Sequence, residues 1–140
     1  MVQLIVGKKG KGKTKHLLDK VNAEVKRVDG SIVYLDKSTK HMYELNNKVR
    51  LIDVSEYLVE NTDGFLGFIS GIISQDHDLQ QMYFDSFLKI ARLDEQGDIA
   101  ATIKKLDDIS NKFHVDFVLS VSKDEDELPE AVRSQIIVSL

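Results

Sequence analysis

Residues 7–14 read GKKGKGKT, and they match the pattern G-x-x-x-x-G-K-[ST] at every fixed position. The mostly apolar residues 3–6 directly before them predict a short buried strand. After them, apolar residues recur at helical spacing from Thr14 to Val28, and Asp29-Gly30 marks a turn. A buried strand, a glycine-rich loop and an amphipathic helix in this order are typical of α/β proteins with a phosphate-binding loop.

The chemistry of this loop favours an anion. Glycines let the backbone turn its N–H groups inward, and the start of the helix adds the positive end of a dipole. We expect Lys13 to reach the β- and γ-phosphates of a nucleotide and the Thr14 hydroxyl to bind Mg²⁺. A Gly/Lys-rich loop without a special role is the alternative, and the strand–loop–helix context disfavours it. The predicted phosphate-binding residues are Gly7, Lys8, Lys9, Gly10, Lys11, Gly12, Lys13, Thr14 and Lys15.

Composition narrows the class of protein further. The 140 residues predict one domain, residues 1–140, and 42% hydrophobic with 30% charged residues excludes a disordered chain. The absence of Cys excludes disulfides, thiolate zinc sites and Cys nucleophiles, and it is consistent with a cytoplasmic protein. The longest apolar run, residues 65–73, is interrupted by glycine and serine and is too short to span a bilayer, so we expect no membrane insertion.

Charge is distributed unevenly along the chain. Residues 1–50 carry 12 Lys and Arg against 5 Asp and Glu, whereas residues 51–140 carry 7 against 18. The positive excess lies around the glycine-rich loop, which favours an anionic ligand there. The acidic remainder makes nucleic acid a poorer candidate than a nucleotide.

Alternating strand and helix patterns extend over the whole chain. Strands are predicted near residues 3–6, 31–35, 49–54, 82–87 and 115–121, with a further one open at 135–140. Helical patterns follow residue 14, residues 61–63 and residues 97–98. These alternations predict an α/β fold in three layers, with a mostly parallel sheet of about five strands flanked by helices. Whether strands 31–35 and 49–54 pair in parallel or as a hairpin stays open.

The loop and the strand–helix succession together resemble the P-loop NTPase superfamily, in which the loop is known as the Walker A motif. The resemblance covers nearly the whole chain and is closest to a minimal RecA-like ATPase core. It implies an Asp at the end of an apolar strand that helps to hold Mg²⁺. Asp36, Asp53 and Asp85 each follow such a strand, and Asp85 fits best because a further helix precedes its strand. The resemblance therefore implies Thr14 and Asp85 as metal ligands, Lys13 and Asp85 as catalytic residues, and ATP and Mg²⁺ as cofactors.

Some features depart from the RecA-like pattern. Ser86 follows Asp85 where many hydrolysing members have Glu, and no arginine finger is assignable. In contrast, the resemblance leaves the role of a γ-phosphate sensor open to Ser120 or Ser122. The resemblance implies that an unknown protein partner or self-association completes the site. Any water-activating carboxylate has to come from elsewhere, and the candidates are Glu44, Glu56, Asp76 and Asp78.

Other signals help to select the nucleotide. The guanine-specifying [NT]-K-x-D motif is missing after the fifth strand, where the chain reads SKDE, so ATP is favoured over GTP. Four scattered arginines supply no phosphate-covering lid, which disfavours a small-metabolite kinase. The chain is also loosely similar to small bacterial proteins labelled twitching-motility-like ATPases, but only in the loop and the sheet pattern.

The histidines are expected to be structural or exposed. His77 lies between Asp76 and Asp78, but three adjacent residues do not point at one ion in regular structure, so a polar connection is the better interpretation. His16, His41 and His114 have no ligand partners at a recognisable spacing.

Three functional hypotheses follow from the sequence. The first is a slow Mg²⁺-dependent ATPase. The second is a nucleotide-gated interaction module without significant hydrolysis, favoured by Ser86 in place of Glu. The third is a nucleic-acid-binding protein that uses the N-terminal lysines.

Overall fold

The structure, a computed structural model, describes residues 1–93 and 97–140. Its strands are β1 (Val2–Val6), β2 (Ser31–Asp36), β3 (Arg50–Asp53), β4 (Leu79–Phe84), β5 (Asp116–Val121) and β6 (Ile136–Ser139). Its helices are α1 (Lys13–Glu24), α2 (Thr62–Gln75), α3 (Phe87–Ile90), α4 (Ile99–Phe113) and α5 (Glu130–Arg133). Short 3₁₀ turns lie at Met42–Glu44, Val54–Glu56 and Glu125–Glu127.

Within these described ranges, six strands form one sheet in the order β3-β2-β4-β5-β1-β6, and each neighbouring pair is parallel. The predicted α/β class is therefore confirmed, with β6 as a sixth strand beside β1. The open question about β2 and β3 is also answered, since they pair in parallel. Because all strands run the same way, their carboxyl ends meet at one edge of the sheet.

Strand β4 begins and ends earlier than predicted. It covers Leu79–Phe84, and Phe87 begins α3 instead of ending the strand. Ser86 takes a left-handed backbone with φ 54°, which turns the chain out of the sheet. The sequence did not indicate the beginning of β4, because Gln80 and Gln81 interrupt the apolar pattern there. Gln81 is nevertheless buried, since its side chain forms hydrogen bonds with Glu24 and Tyr83.

Helices cover both faces of the sheet. Alternate residues of β1 point to opposite faces, so that Ile5 packs with Leu17 and Val21 of α1. Leu4, in contrast, packs in the larger core that includes Ile69 of α2. These two buried faces produce the predicted three layers, and each fully buried aliphatic side chain contributes about 1.5–3 kcal/mol.

None of the helices in the part of the chain that the structure describes is both long and apolar enough to cross a bilayer.

Candidate functional site

The glycine-rich loop joins β1 to α1 and depends on glycine at defined positions. Gly10 and Gly12 have φ of 87° and 95°, a left-handed region that a side chain rarely adopts. A Cβ at either residue would meet no atom within 4 Å, so the backbone conformation and not lack of space requires glycine there. Gly7 differs, because a Cβ there would lie 3.0 Å from the Cβ of Leu140.

Lys13 begins α1 and its side chain returns over the loop. Its Nζ donates a hydrogen bond to the Lys8 carbonyl at 3.1 Å, and the residue is only 7% exposed. Burial lowers the pKa of Lys13, while the nearby Asp85 carboxylate acts in the opposite direction. The ammonium group is thus held at the loop, where a phosphate oxygen is able to replace the carbonyl as its partner.

A cleft of about 640 Å³ opens at the carboxyl ends of the strands, beside this loop. Its volume is in the range of small-molecule sites. The residues that line it come from the glycine-rich loop and the start of α1, from the end of β2 and the segment after it, from the chain after β4 including α3, and from the end of β5: Lys9, Gly10, Gly12, Lys13, Thr14, Asp36, Lys37, Ser38, Lys40, His41, Asp85, Ser86, Leu88, Lys89, Ser120 and Ser122.

Asp85 follows β4 and lies at the base of the cleft, 3% exposed. Its Oδ1 accepts hydrogen bonds from the Thr14 hydroxyl at 3.2 Å and from Ser120 at 3.1 Å, and its Oδ2 accepts one from the Tyr34 hydroxyl at 2.8 Å. The two residues predicted to hold Mg²⁺ are therefore in contact. The hard oxygen donors of Thr14 and Asp85 fit this ion. Asp53, the edge-strand alternative, instead accepts from Ser55.

Asp36 also lies in the cleft, although the sequence analysis considered it only as a magnesium ligand and preferred Asp85. It ends β2, the strand next to β4, and is 2% exposed. Its Oδ1 accepts from the Lys37 N–H at 2.7 Å, and its Oδ2 has no hydrogen-bond partner among the described residues. Burial raises the pKa of Asp36 to about 6, and the Asp85 charge adds to this effect. The signal that it belongs to the site was its place at the end of a neighbouring parallel strand.

The four carboxylates expected from the sequence to activate water lie elsewhere: Glu44, Glu56, Asp76 and Asp78. In the described part of the chain, none of them lines the cleft. Glu44 contacts the Nδ1 of His41 at 2.9 Å, and Asp76 pairs with Arg50 at 2.6 Å. His41, which has no ligand partners at a recognisable spacing in the sequence, is half-buried, and one of its ring nitrogens lies within 4.8 Å of carboxylate oxygens of Asp36 and Asp85.

The two serines at the end of β5 occupy different places. Ser120 is buried, donates to Asp85 and accepts from the Ser86 N–H at 3.0 Å, so it orients the aspartate. Ser122 is exposed at the cleft wall, where a γ-phosphate sensor has room to act.

The five predicted lysines lie in different places. Lys9 and Lys13 line the cleft, Lys8 and Lys15 have carboxylate partners outside it, and Lys11 is exposed and does not line it. Lys8 lies 3.4 Å from Glu127 in the acidic turn, and Lys15 lies 3.3 Å from Asp19. Three further lysines of the lining were not predicted from the sequence: Lys37 and Lys40 follow β2, and Lys89 lies in α3.

No protein-family profile and no curated protein sequence matches this chain. Solved structures do share its fold. A KaiC-like protein, PH0186 from the hyperthermophilic archaeon Pyrococcus horikoshii OT3, has a TM-score of 0.66 and 18% identity, covering 95% of this chain and 67% of that chain. The flagellar accessory protein FlaH from Methanocaldococcus jannaschii has a TM-score of 0.60 and 16% identity, covering 95% and 65%.

The chain thus spans about two thirds of the length of these two neighbours and has their RecA-like α/β fold. This confirms the predicted fold class. Neither name refers to twitching motility, so the similarity to proteins so labelled stays a prediction.

Proposed function

We propose that this protein binds ATP with Mg²⁺ in the cleft and hydrolyses it slowly in the cytoplasm. The observation that carries the proposal is the 3.2 Å contact between Thr14 of the glycine-rich loop and Asp85 at the end of β4. It joins the two protein ligands that a phosphate-bound Mg²⁺ needs, directly beside a loop whose backbone is shaped for phosphate.

Each residue has a distinct task in this proposal. Lys13 leaves the Lys8 carbonyl and pairs with the β- and γ-phosphates, as the loop N–H groups bind the remaining oxygens. Thr14 and Asp85 hold Mg²⁺, which when bound neutralises charge on the phosphates. Tyr34 and Ser120 keep the Asp85 carboxylate in orientation through their hydrogen bonds. The lysines of the lining add attraction for the polyanion.

Asp36 is the residue that we expect to activate water. It ends the strand next to β4, and its Oδ2, which has no hydrogen-bond partner in the part of the chain that the structure describes, is able to accept a proton. A pKa of about 6 lies near the working pH, as general base catalysis favours. This supports hydrolysis over a purely nucleotide-gated module, although Ser86 still stands where a glutamate would have supplied a second base.

A nucleic-acid-binding function receives less support. Lys8 and Lys15, which would have to face a polymer, already pair with Glu127 and Asp19 of the same chain. The cleft lysines surround one cleft instead of forming a stripe along the surface.

The test is titration with ATP, GTP and ADP, with and without Mg²⁺, together with phosphate release. Lys13→Ala should weaken Mg²⁺-ATP binding about 10- to 100-fold, because it removes a charge-assisted hydrogen bond worth about 1.5–3 kcal/mol. Lys26→Ala, at an exposed position just beyond the end of the same helix, is the control. Unchanged ATP affinity in Lys13→Ala would contradict the proposal.

Hydrolysis is tested in the same tubes. Asp36→Asn should bind ATP and release no phosphate, and Asp85→Asn should lose both Mg²⁺ dependence and turnover. ATP binding by the wild type without any turnover would leave the gated module as the function.

A further inference from the structure

We propose that Asp36, His41 and Asp85 form a binding site for a divalent first-row transition-metal ion, and that the ion binds without nucleotide. One ligand atom from each of the three side chains lies within 4.8 Å of the other two. Two ligands about 2.1 Å from one ion are about 3 to 4.2 Å apart, so small side-chain movements suffice to close the site around a metal.

An unpartnered oxygen points to a missing ligand. The Oδ2 of Asp36 is buried and accepts no hydrogen bond from the described residues, although a buried carboxylate oxygen normally has a partner. Asp36 and Asp85 are both almost completely buried and face each other, so their charges repel in a poorly solvated place. A divalent cation between them removes that repulsion and supplies the absent partner.

His41 has the arrangement of a metal-binding histidine. Its Nδ1 lies 2.9 Å from Oε1 of Glu44, which fixes the tautomer and leaves the lone pair on Nε2. Metal-bound histidines commonly donate their other N–H to a carboxylate in this way. Glu44 therefore acts as a positioning residue for the ring.

The segment that carries His41 is anchored on α1. Asn22 donates from Nδ2 to the Glu44 carbonyl at 2.8 Å, and its Oδ1 accepts from the Asn46 N–H at 2.9 Å. The imidazole is therefore held close to the two carboxylates before any ion arrives. This preorganisation lowers the cost of binding.

The ligand set selects the kind of ion. Two carboxylates and one imidazole suit Mn²⁺, Fe²⁺, Co²⁺ or Zn²⁺, whereas Mg²⁺ and Ca²⁺ prefer oxygen ligands throughout. The two carboxylates also offset the lysines that line the cleft. The site shares Asp36 and Asp85 with the ATPase proposal, but it also depends on His41, which the ATPase proposal does not use.

The experiment measures Mn²⁺ binding to the nucleotide-free protein by electron paramagnetic resonance, with Co²⁺ absorption as a second probe. His41→Ala and His41→Gln should each weaken Mn²⁺ and Co²⁺ binding at least tenfold, and Glu44→Gln should weaken it about tenfold. His77→Ala is the matched control, because His77 is exposed between two aspartates and lies outside the site. Lys13→Ala should not weaken Mn²⁺ binding, because it removes a positive charge that acts on Asp85.

Three outcomes would overturn the site: no Mn²⁺ binding by the wild type below millimolar concentration, unchanged affinity in both His41 variants, or an equal loss in His77→Ala. Because nucleotide is absent, the result is separable from the ATPase proposal. Metal binding with no ATP binding would reject only the ATPase, and ATP binding with no effect of His41 would reject only this site.

Discussion

Asp36 and Asp85 are the same residue type at the ends of adjacent parallel strands, yet their surroundings differ. Asp85 accepts hydrogen bonds from Thr14, Ser120 and Tyr34, which share out its negative charge. Asp36 accepts one bond, from the Lys37 N–H, and is desolvated. Asp85 is thus held by three hydrogen bonds, whereas Asp36 keeps one oxygen without a hydrogen-bond partner among the described residues, and that oxygen suits either a metal ion or a proton.

Burial of the Asp36 carboxylate should lower the stability of the folded protein at neutral pH. The pKa of Asp36 is about 6 when folded against 3.8 ordinarily, so the folded state holds the proton more tightly than the unfolded state. Stability should therefore fall as pH rises from about 4 to about 6 and stay level above that. We expect Asp36→Asn to remove this fall and to be more stable than the wild type at pH 8 by about 2–3 kcal/mol.

Urea unfolding of both proteins between pH 4 and pH 8 is the measurement. Asp29→Asn, on an exposed turn, is the control and should follow the wild type. If the unfolding free energies of Asp36→Asn and the wild type change in parallel over the whole pH range, the pKa of Asp36 is not raised by folding.

At the scale of elements, the pairing of β2 with β4 determines how Asp85 is held. Tyr34 and Tyr83 are opposite each other in register, both fully buried, with ring centroids 6.4 Å apart. Burial raises the pKa of both phenols, so both hydroxyls remain donors. Tyr34 donates to Asp85, whereas Tyr83 donates to Gln81 at 2.7 Å. Of the two tyrosines, therefore, only Tyr34 forms a hydrogen bond with a residue of the cleft.

This difference predicts a separation of stability from binding. Tyr34→Phe should cost about 1.5–3 kcal/mol of unfolding free energy because its partner is charged, and Tyr83→Phe about 1 kcal/mol. Only Tyr34→Phe should also weaken Mg²⁺-ATP and Mn²⁺ binding, since Asp85 then loses its orientation. Denaturant unfolding and the two titrations measure this. Equal binding losses in both variants would mean that the effect is general loosening of the sheet.

For the whole molecule, the core and the cleft meet at the end of β4. Phe84 immediately precedes Asp85 and packs against the rings of Phe65, Phe87 and Phe117 at centroid distances of 5.9, 6.2 and 5.4 Å. This aromatic cluster links β4 and β5 with α2 and α3. The rigidity of the site thus depends on packing beneath it.

Removing this ring should destabilise the whole domain. We expect Phe84→Ala to lower the free energy of unfolding by about 3–5 kcal/mol, because it leaves a cavity in a fully buried cluster. Phe113→Ala is the control; that ring is 46% exposed at the end of α4 and should cost less than about 1 kcal/mol. Urea midpoints test the pair, and similar midpoints would contradict a core role for Phe84.

The sequence by itself determined the fold class and the glycine-rich loop, and it predicted Asp85 as a metal ligand. These are local properties: the motif requires glycine at fixed backbone angles, and the hydrophobic pattern distinguishes strands from helices. It also indicated the first helix and predicted an anion near the N-terminus. The error in the start of β4 was also local, because two adjacent glutamines, Gln80 and Gln81, do not fit the pattern of a buried strand. Their hydrogen bonds to Gly30 and Glu24 are long-range contacts that only the structure shows.

Only the tertiary structure decided which side chains meet. Asp36, His41 and Asp85 come from segments up to 49 positions apart, and the parallel order β2-β4-β5 brings the strand ends together. Likewise, the pKa of Asp36 depends on burial and on a charge from another strand, neither of which is a property of its neighbours in sequence. The local sequence therefore predicts the glycine-rich loop, whereas long-range strand pairing determines which carboxylates and which imidazole lie together beside that loop.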